Sequence, residues 1–221
     1  MPIEIVPLGD SALIVRVADS LGDVLSMVRK LEAANISGVS DIAPAFASVA
    51  LFLESPEQLK SCSEAVRVAL GKKRRASGAI VKQRLIEVPV CYDEEFAFDL
   101  ETVAQHCGLP PNEVVARHAA ARYGVRCVGF TPGFPFLGGL PPKLETPRRK
   151  SPRAAVPAGS VAIGGPQTGI YPLSSPGGWN IIGRTPLRLF DVTREPAALL
   201  RAGDRVRFVS IGREEFEAWS K

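Results

Sequence analysis

Between residues 129 and 186 the chain carries 11 of its 20 glycines and 11 of its 19 prolines. Proline fixes φ and removes a backbone donor, and glycine weakens a helix interior, so these 58 residues cannot build long helices. Short apolar runs lie between the interruptions, at 160–164, 169–173, 179–183 and 187–190, and a further run follows at 205–209. Short strands at such spacing, with turns between them, predict an all-β barrel or sandwich.

The first part of the chain has a different texture. Runs 3–7 and 11–17 are rich in Ile, Val and Leu and read as strands joined across Gly9-Asp10. Val24, Leu25, Val28 and Leu31 give helical spacing over 24–35, and Gly38 follows. Runs 39–43 and 48–53 predict another strand pair, with Leu51 and Leu53 facing one way. A second helix is expected over 57–70, with Ser55 as its cap and Pro56 in its first turn. This ββαββα order suggests a small α+β sandwich. The run Gly71-Lys72-Lys73-Arg74-Arg75-Ala76-Ser77-Gly78 sets four consecutive cations between glycines, which cannot pack in a core. The domain boundary is placed there, giving an α+β domain at 1–76 and a β-barrel domain with two helices at 77–221. The second part opens with a strand at 82–90. Asp99 is expected to cap a helix over 100–107 that Gly108 ends, and Pro111 to start one that runs to Tyr123 and closes at Gly124. The tail, 213–219, reads as a short amphipathic helix.

Bulk properties narrow the partners. With 221 residues the chain is long enough for two domains, and no stretch approaches the roughly 18 apolar residues of a membrane helix. Met1-Pro2-Ile3-Glu4 lacks a basic leader followed by an apolar run, so a cytoplasmic address is expected and no membrane is an expected partner. Cys62, Cys91, Cys107 and Cys127 form no CxxC pair, and with only His106 and His118 no zinc site of ordinary spacing is expected. The net charge is +4, but the window 129–186 alone sums to +5, from Lys143, Arg148, Arg149, Lys150, Arg153 and Arg184 against Glu145. That excess suits an anionic ligand or a solvated loop. Neither an aromatic stacking platform nor a known binding module accompanies it, so nucleic acid is not expected.

Two dense segments hold the candidate chemistry. In Gly129-Phe130-Thr131-Pro132-Gly133-Phe134-Pro135-Phe136-Leu137-Gly138, alternating glycine and proline define a shaped loop, and Phe130, Phe134 and Phe136 would supply apolar walls. The loop is either a stiff crossover or a ligand loop. In Gly164-Gly165-Pro166-Gln167-Thr168-Gly169-Ile170-Tyr171-Pro172, the side chains of Gln167, Thr168 and Tyr171 could hold an amide or lactam; a plain hairpin with polar turn residues reads equally well. His118 shares a helix face with Val114 and Val115, as a satisfied core histidine or as a general base. No phosphate loop, nucleophile elbow or dinucleotide fingerprint is present, nor a Met-Lys-Met biotin site, since the methionines are Met1 and Met27.

The segments 129–138, Thr146-Pro147-Arg148-Arg149, Val156-Pro157-Ala158-Gly159-Ser160-Val161, 164–172 and Pro176-Gly177-Gly178-Trp179 closely resemble the B subunit of bacterial 5-oxoprolinase. The same family is described as allophanate hydrolase subunit 1 and as a sporulation kinase inhibitor. The resemblance runs from about residue 3 to 209. It implies an α+β N-terminal domain followed by a cyclophilin-like β-barrel. It also implies a C-type partner subunit with a related barrel and an A-type subunit, which together cleave 5-oxo-L-proline to glutamate with ATP. The site positions it implies are His118, Phe130, Pro132, Gly133, Phe134, Pro135, Gln167, Thr168, Gly169 and Tyr171. On this reading Gln167 and Thr168 hold the lactam amide, Arg148 or Arg153 pairs with the carboxylate, and His118 polarises water or the intermediate. Two rival readings differ in class: a regulator that docks on a sensor histidine kinase, and one subunit of a urea- or allophanate-processing carboxyltransferase or hydrolase.

Overall fold

The computed structural model describes residues 4–16, 21–71 and 83–219. The expected boundary at 76/77 lies outside the described residues. The chain divides into two compact units, 1–82 and 83–221.

In the first unit, strands β1 (Glu4–Pro7), β2 (Ala12–Arg16), β3 (Val39–Ala45) and β4 (Ser48–Leu53) form an antiparallel sheet in the order β1-β2-β4-β3. Helix α1 (Leu21–Ala34) connects β2 to β3, and a 3-10 turn at Pro56–Gln58 leads into α2 (Leu59–Gly71). The two-residue period of β4 decides what is covered: Val49, Leu51 and Leu53 are buried while Phe52 is exposed. They pack with Leu13 and Val15 of β2, Val24, Val28 and Leu31 of α1, and Cys62 and Val66 of α2. Ser55 precedes the 3-10 turn in extended backbone, and Gln58 Oε1 accepts from its N–H at 3.2 Å, closing the turn from the other side.

The second unit is built on a closed barrel. Its elements are β5 (Leu85–Cys91), α3 (Leu100–Cys107), α4 (Pro111–Ala120), β6 (Tyr123–Val128), β7 (Pro135–Gly138), β8 (Arg153–Val156), β9 (Ser160–Gly164), β10 (Gln167–Ile170), β11 (Ser175–Gly177), β12 (Asn180–Arg184), β13 (Arg205–Ile211) and α5 (Arg213–Ala218). The barrel runs β10-β7-β6-β13-β5-β12-β9 and closes on β10, while β8 and β11 form a separate two-stranded ribbon. Strands β5 and β13 pair in parallel from Leu85↔Arg205 to Cys91↔Ile211; the other barrel pairs are antiparallel. Val88, Val90, Tyr123, Val125, Leu137, Val161, Ile163, Ile170, Ile182 and Phe208 fill one core, with Val103 and Val114 from α3 and α4 joined to it. Strand β9 is buried on both faces. Val161 and Ile163 enter that core, whereas Ala162 joins a second cluster with Phe134, Val156, Tyr171, Trp179 and Ile181. This second cluster lies on the other face of β9, and it positions the site.

Two expectations on the second unit fail for physical reasons. The helix from Pro111 ends at Ala120, not at Tyr123, because Ala121 is already extended and Tyr123 begins β6. The Tyr123 ring is buried edge-on to Phe208 at 5.1 Å, a core position that a continued helix could not reach. Residues 187–190 form no strand; Phe190 makes a single bridge to Ala198.

Candidate functional site

Phe134, Tyr171 and Trp179 of the second cluster line a pocket of about 530 Å³. Phe130, Phe134, Phe136, Tyr171 and Trp179 are its aromatic walls, and Pro152 with the turn Pro176-Gly177-Gly178 completes the lining. Thr131, Arg148, Arg149 and Ser175 bring the polar atoms. Phe134 is the hub, with ring centroids 4.8 Å from Phe136, 5.1 Å from Tyr171 and 5.6 Å from both Phe130 and Trp179. Phe130 stands at the rim, two-thirds exposed, with a backbone φ of 70°. A bulky residue held in the left-handed region is strained, and such strain gathers at sites that use it.

Glycine makes the close approaches possible. A Cβ on Gly164 would meet Trp179 Cδ2 at 2.5 Å, and one on Gly169 would meet Phe134 Cζ and the Pro135 carbonyl at 2.9 Å. Gly164→Ala is therefore expected to push the indole out of the wall and to destabilise the unit by about 1–3 kcal/mol. Urea unfolding checks the stability, and near-ultraviolet circular dichroism checks the indole's packing.

Charge at the pocket is organised by Asp99, which is only 2% exposed. It sits at the N-cap position of α3, yet its carboxylate makes no cap bond there. It accepts instead from Arg149 Nη1 at 2.7 Å, from Arg153 Nη1 at 2.8 Å and Nη2 at 2.9 Å, and from the Ile181 N–H at 2.8 Å. The guanidiniums and an unpaired strand N–H outcompete the helix end for the same oxygens. Arg148 lies over the Trp179 ring at 5.6 Å. Three guanidiniums against one carboxylate leave the surroundings net positive. Burial raises the Tyr171 phenol above its ordinary value, so it stays neutral in the wall.

Of the expected site residues, the pocket brings together Phe130, Phe134, Arg148 and Tyr171. Pro132 is exposed on the loop, while Gly133 and Pro135 are buried beneath it and do not line the pocket. Arg153 is engaged by Asp99. Gln167 opens β10 beside the hairpin turn and does not line the pocket, and Gly169 is packed under Phe134.

Thr168 and His118 lie in the barrel interior, fully buried. Thr168 Oγ1 donates to the Ala162 carbonyl at 2.9 Å. Its single proton being used, it accepts from His118 Nε2 at 3.0 Å, and His118 Nδ1 accepts from Tyr92 Oη at 2.9 Å. The ring also stacks on Phe208 at 4.5 Å. Burial lowers the His118 pKa to about 3. Both nitrogens are therefore satisfied internally, and His118 is a packed core histidine here, not a group presented to the pocket. The expected lactam contact of Thr168 meets the same obstacle. Thr131, Arg149, Ser175 and Trp179 line the pocket without having carried a site role in the sequence reading. The Pro-Gly-Gly-Trp run is the one signal that could have pointed to Trp179.

The family "Carboxyltransferase domain, subdomain C and D" matches residues 3–200. The 5-oxoprolinase B subunit of Bacillus subtilis (strain 168) is 40% identical over 232 residues, covering 99% of this chain and 97% of its own. The chain belongs to the family of 5-oxoprolinase B subunits. The B subunit of Escherichia coli O157:H7 is 46% identical over 175 residues, with 79% of each chain covered. The crystal structure of TTHA0988 matches 90% of this chain with a TM-score of 0.76 and 39% identity, and the match occupies 40% of that longer chain. Kluyveromyces lactis urea carboxylase matches 98% of this chain with a TM-score of 0.77 at 18% identity, over 22% of its length, which is a likeness of fold alone.

Proposed function

We propose that this chain is one component of a heteromeric, ATP-dependent 5-oxoprolinase that opens 5-oxo-L-proline to L-glutamate. The observation that carries the reading is the near full-length match to the B subunit of Bacillus subtilis. A B-type subunit has companions, and the embedding of a related segment in the longer TTHA0988 chain supports a module that works beside others. The companions are taken to be C-type and A-type subunits, and an ATP-consuming complex of this kind works in the cytoplasm. Among the described residues no helix is long and apolar enough to cross a membrane.

The reaction takes up two waters: the oxygen and hydrogens of one are added across the lactam C–N bond, and the other is consumed as ATP becomes ADP and phosphate. The pocket is the place where this chain meets the small cyclic substrate: apolar walls suit ring methylenes, and a few polar atoms fix orientation. It does not suit ATP. A triphosphate needs several cations or a cradle of backbone N–H groups, and here Arg149 and Arg153 are already paired with Asp99. On this reading ATP binds another member of the complex.

The test is ATP-dependent glutamate release from 5-oxoproline by this chain alone and after coexpression with C- and A-type partners. Activity only in the full mixture is expected. Absence of activity in every mixture would remove the reading.

A further inference from the structure

Three buried side-chain atoms among the described residues have no hydrogen-bond partner: Thr131 Oγ1, Arg149 Nε and Ser175 Oγ. All three belong to residues that line the same pocket. A buried polar atom left unpaired is unfavourable, and native proteins keep few of them. Three meeting at one apolar cavity point to a ligand that completes them.

Their chemistry defines that ligand. Arg149 is anchored twice: its backbone N–H donates to the Gly178 carbonyl at 2.7 Å, and its Nη1 donates to Asp99 at 2.7 Å. Asp99 thereby fixes the guanidinium plane and leaves the charged Nε–H as a free donor. Thr131 and Ser175 add two hydroxyl donors. Three donors, one of them cationic, suit the several lone pairs of a single carboxylate. A neutral amide offers fewer acceptor sites and gains nothing from the net positive surroundings. A phosphate cluster would demand more cations than the pocket presents, since Arg149 is shared with Asp99 and Arg148 lies over the Trp179 ring.

We infer that this pocket receives a small cyclic acid carboxylate-first, at Arg149, Thr131 and Ser175, and that Asp99 is the positioning residue that holds Arg149 for it. The inference rests on the 5-oxoprolinase reading for the identity of the acid, not for the site. It assigns the carboxylate to Arg149 and not to Arg148, which stacks on Trp179, or Arg153, which serves as the second anchor of Asp99.

Two measurements test it. In ¹⁵N spectra of the arginine Nε–H groups of the full chain, 5-oxoproline is expected to shift the Arg149 signal, while 2-pyrrolidinone, the same ring without the carboxylate, leaves it in place. In the assembled complex, Arg149→Lys keeps the charge but removes the Nε–H, and Asp99→Asn keeps the shape but loosens the anchor. Each is expected to raise KM for 5-oxoproline at least tenfold with kcat within threefold of the parent. Thr131→Val combined with Ser175→Ala is expected to raise KM in the same way. An equal shift with 2-pyrrolidinone, or unchanged KM in both Arg149→Lys and Asp99→Asn, overturns the assignment while leaving the complex a 5-oxoprolinase. A carboxylate-dependent Arg149 shift in a chain whose complete mixtures release no glutamate sustains the acid site and removes the proposed reaction instead.

Discussion

Acidification from pH 7 to pH 4 is expected to remove about 3 kcal/mol of folding stability through His118 alone. In the unfolded chain an imidazole titrates near its ordinary value of 6.5, whereas in the barrel burial holds it at about 3. Above 6.5 both states are neutral and His118 adds no pH dependence. Between 6.5 and 3 the unfolded state binds a proton that the folded state refuses, so stability falls with pH by about 1.4 kcal/mol per unit. Below 3 the loss levels off. Charging the ring would also turn the Nδ1 acceptor into a donor facing the Tyr92 hydroxyl. Urea unfolding at pH 7, 6, 5 and 4 checks the slope. His118→Gln will begin from a less stable baseline, since it gives up the stack on Phe208, but the part of the slope that comes from one proton should vanish. A variant with the parent slope would mean that His118 is not the group held neutral.

The barrel is legible in the sequence because its cause is local. Glycine and proline at short intervals forbid long helices, and the apolar runs between them at 160–164 and 179–183 correspond to β9 and β12. Where the cause is distant, legibility fails. Alternation could not show that both faces of β9 are buried, because the second face is covered by Phe134 and Trp179 from other parts of the chain. Asp99 reads as a helix cap from its neighbours, but partners 50, 54 and 82 residues away claim its carboxylate. For the same reason the sequence could single out a basic segment but not which arginine keeps a buried donor without a partner. Among Arg148, Arg149 and Arg153 the distinction lies in the Trp179 ring, the Gly178 carbonyl and Asp99. From sequence His118 stands open between core and catalyst, and the tautomer chain from Tyr92 through His118 to Thr168 and Ala162 puts it in the core. The helix expected to reach Tyr123 stops short for a related reason: the apolar spacing continues, but the barrel needs that ring.

Phe134→Ala is expected to cost about 3–5 kcal/mol, the range for removing a fully buried aromatic ring. Phe134 is 1% exposed and touches four other rings, edge-on to Phe130, Tyr171 and Trp179 and tilted against Phe136. Edge-to-face pairs add to the area term, so the upper part of the range is expected. The site cannot collapse easily, because β9 and β10 are held in register by the closed barrel and Gly169 has no side chain to move into the void. Phe134→Leu keeps most of the volume and should lose less than about 1.5 kcal/mol. A urea midpoint that falls with an unchanged m-value would assign the loss to the native state and not to a changed unfolded ensemble. A loss below about 1 kcal/mol for the alanine variant would mean that the Pro-Gly loop is not part of the folded core. The same ring is both core and pocket wall, so the variant's binding of 5-oxoproline should weaken well below its unfolding midpoint. That pairing separates a wall that supports a ligand from a loop that merely covers the barrel.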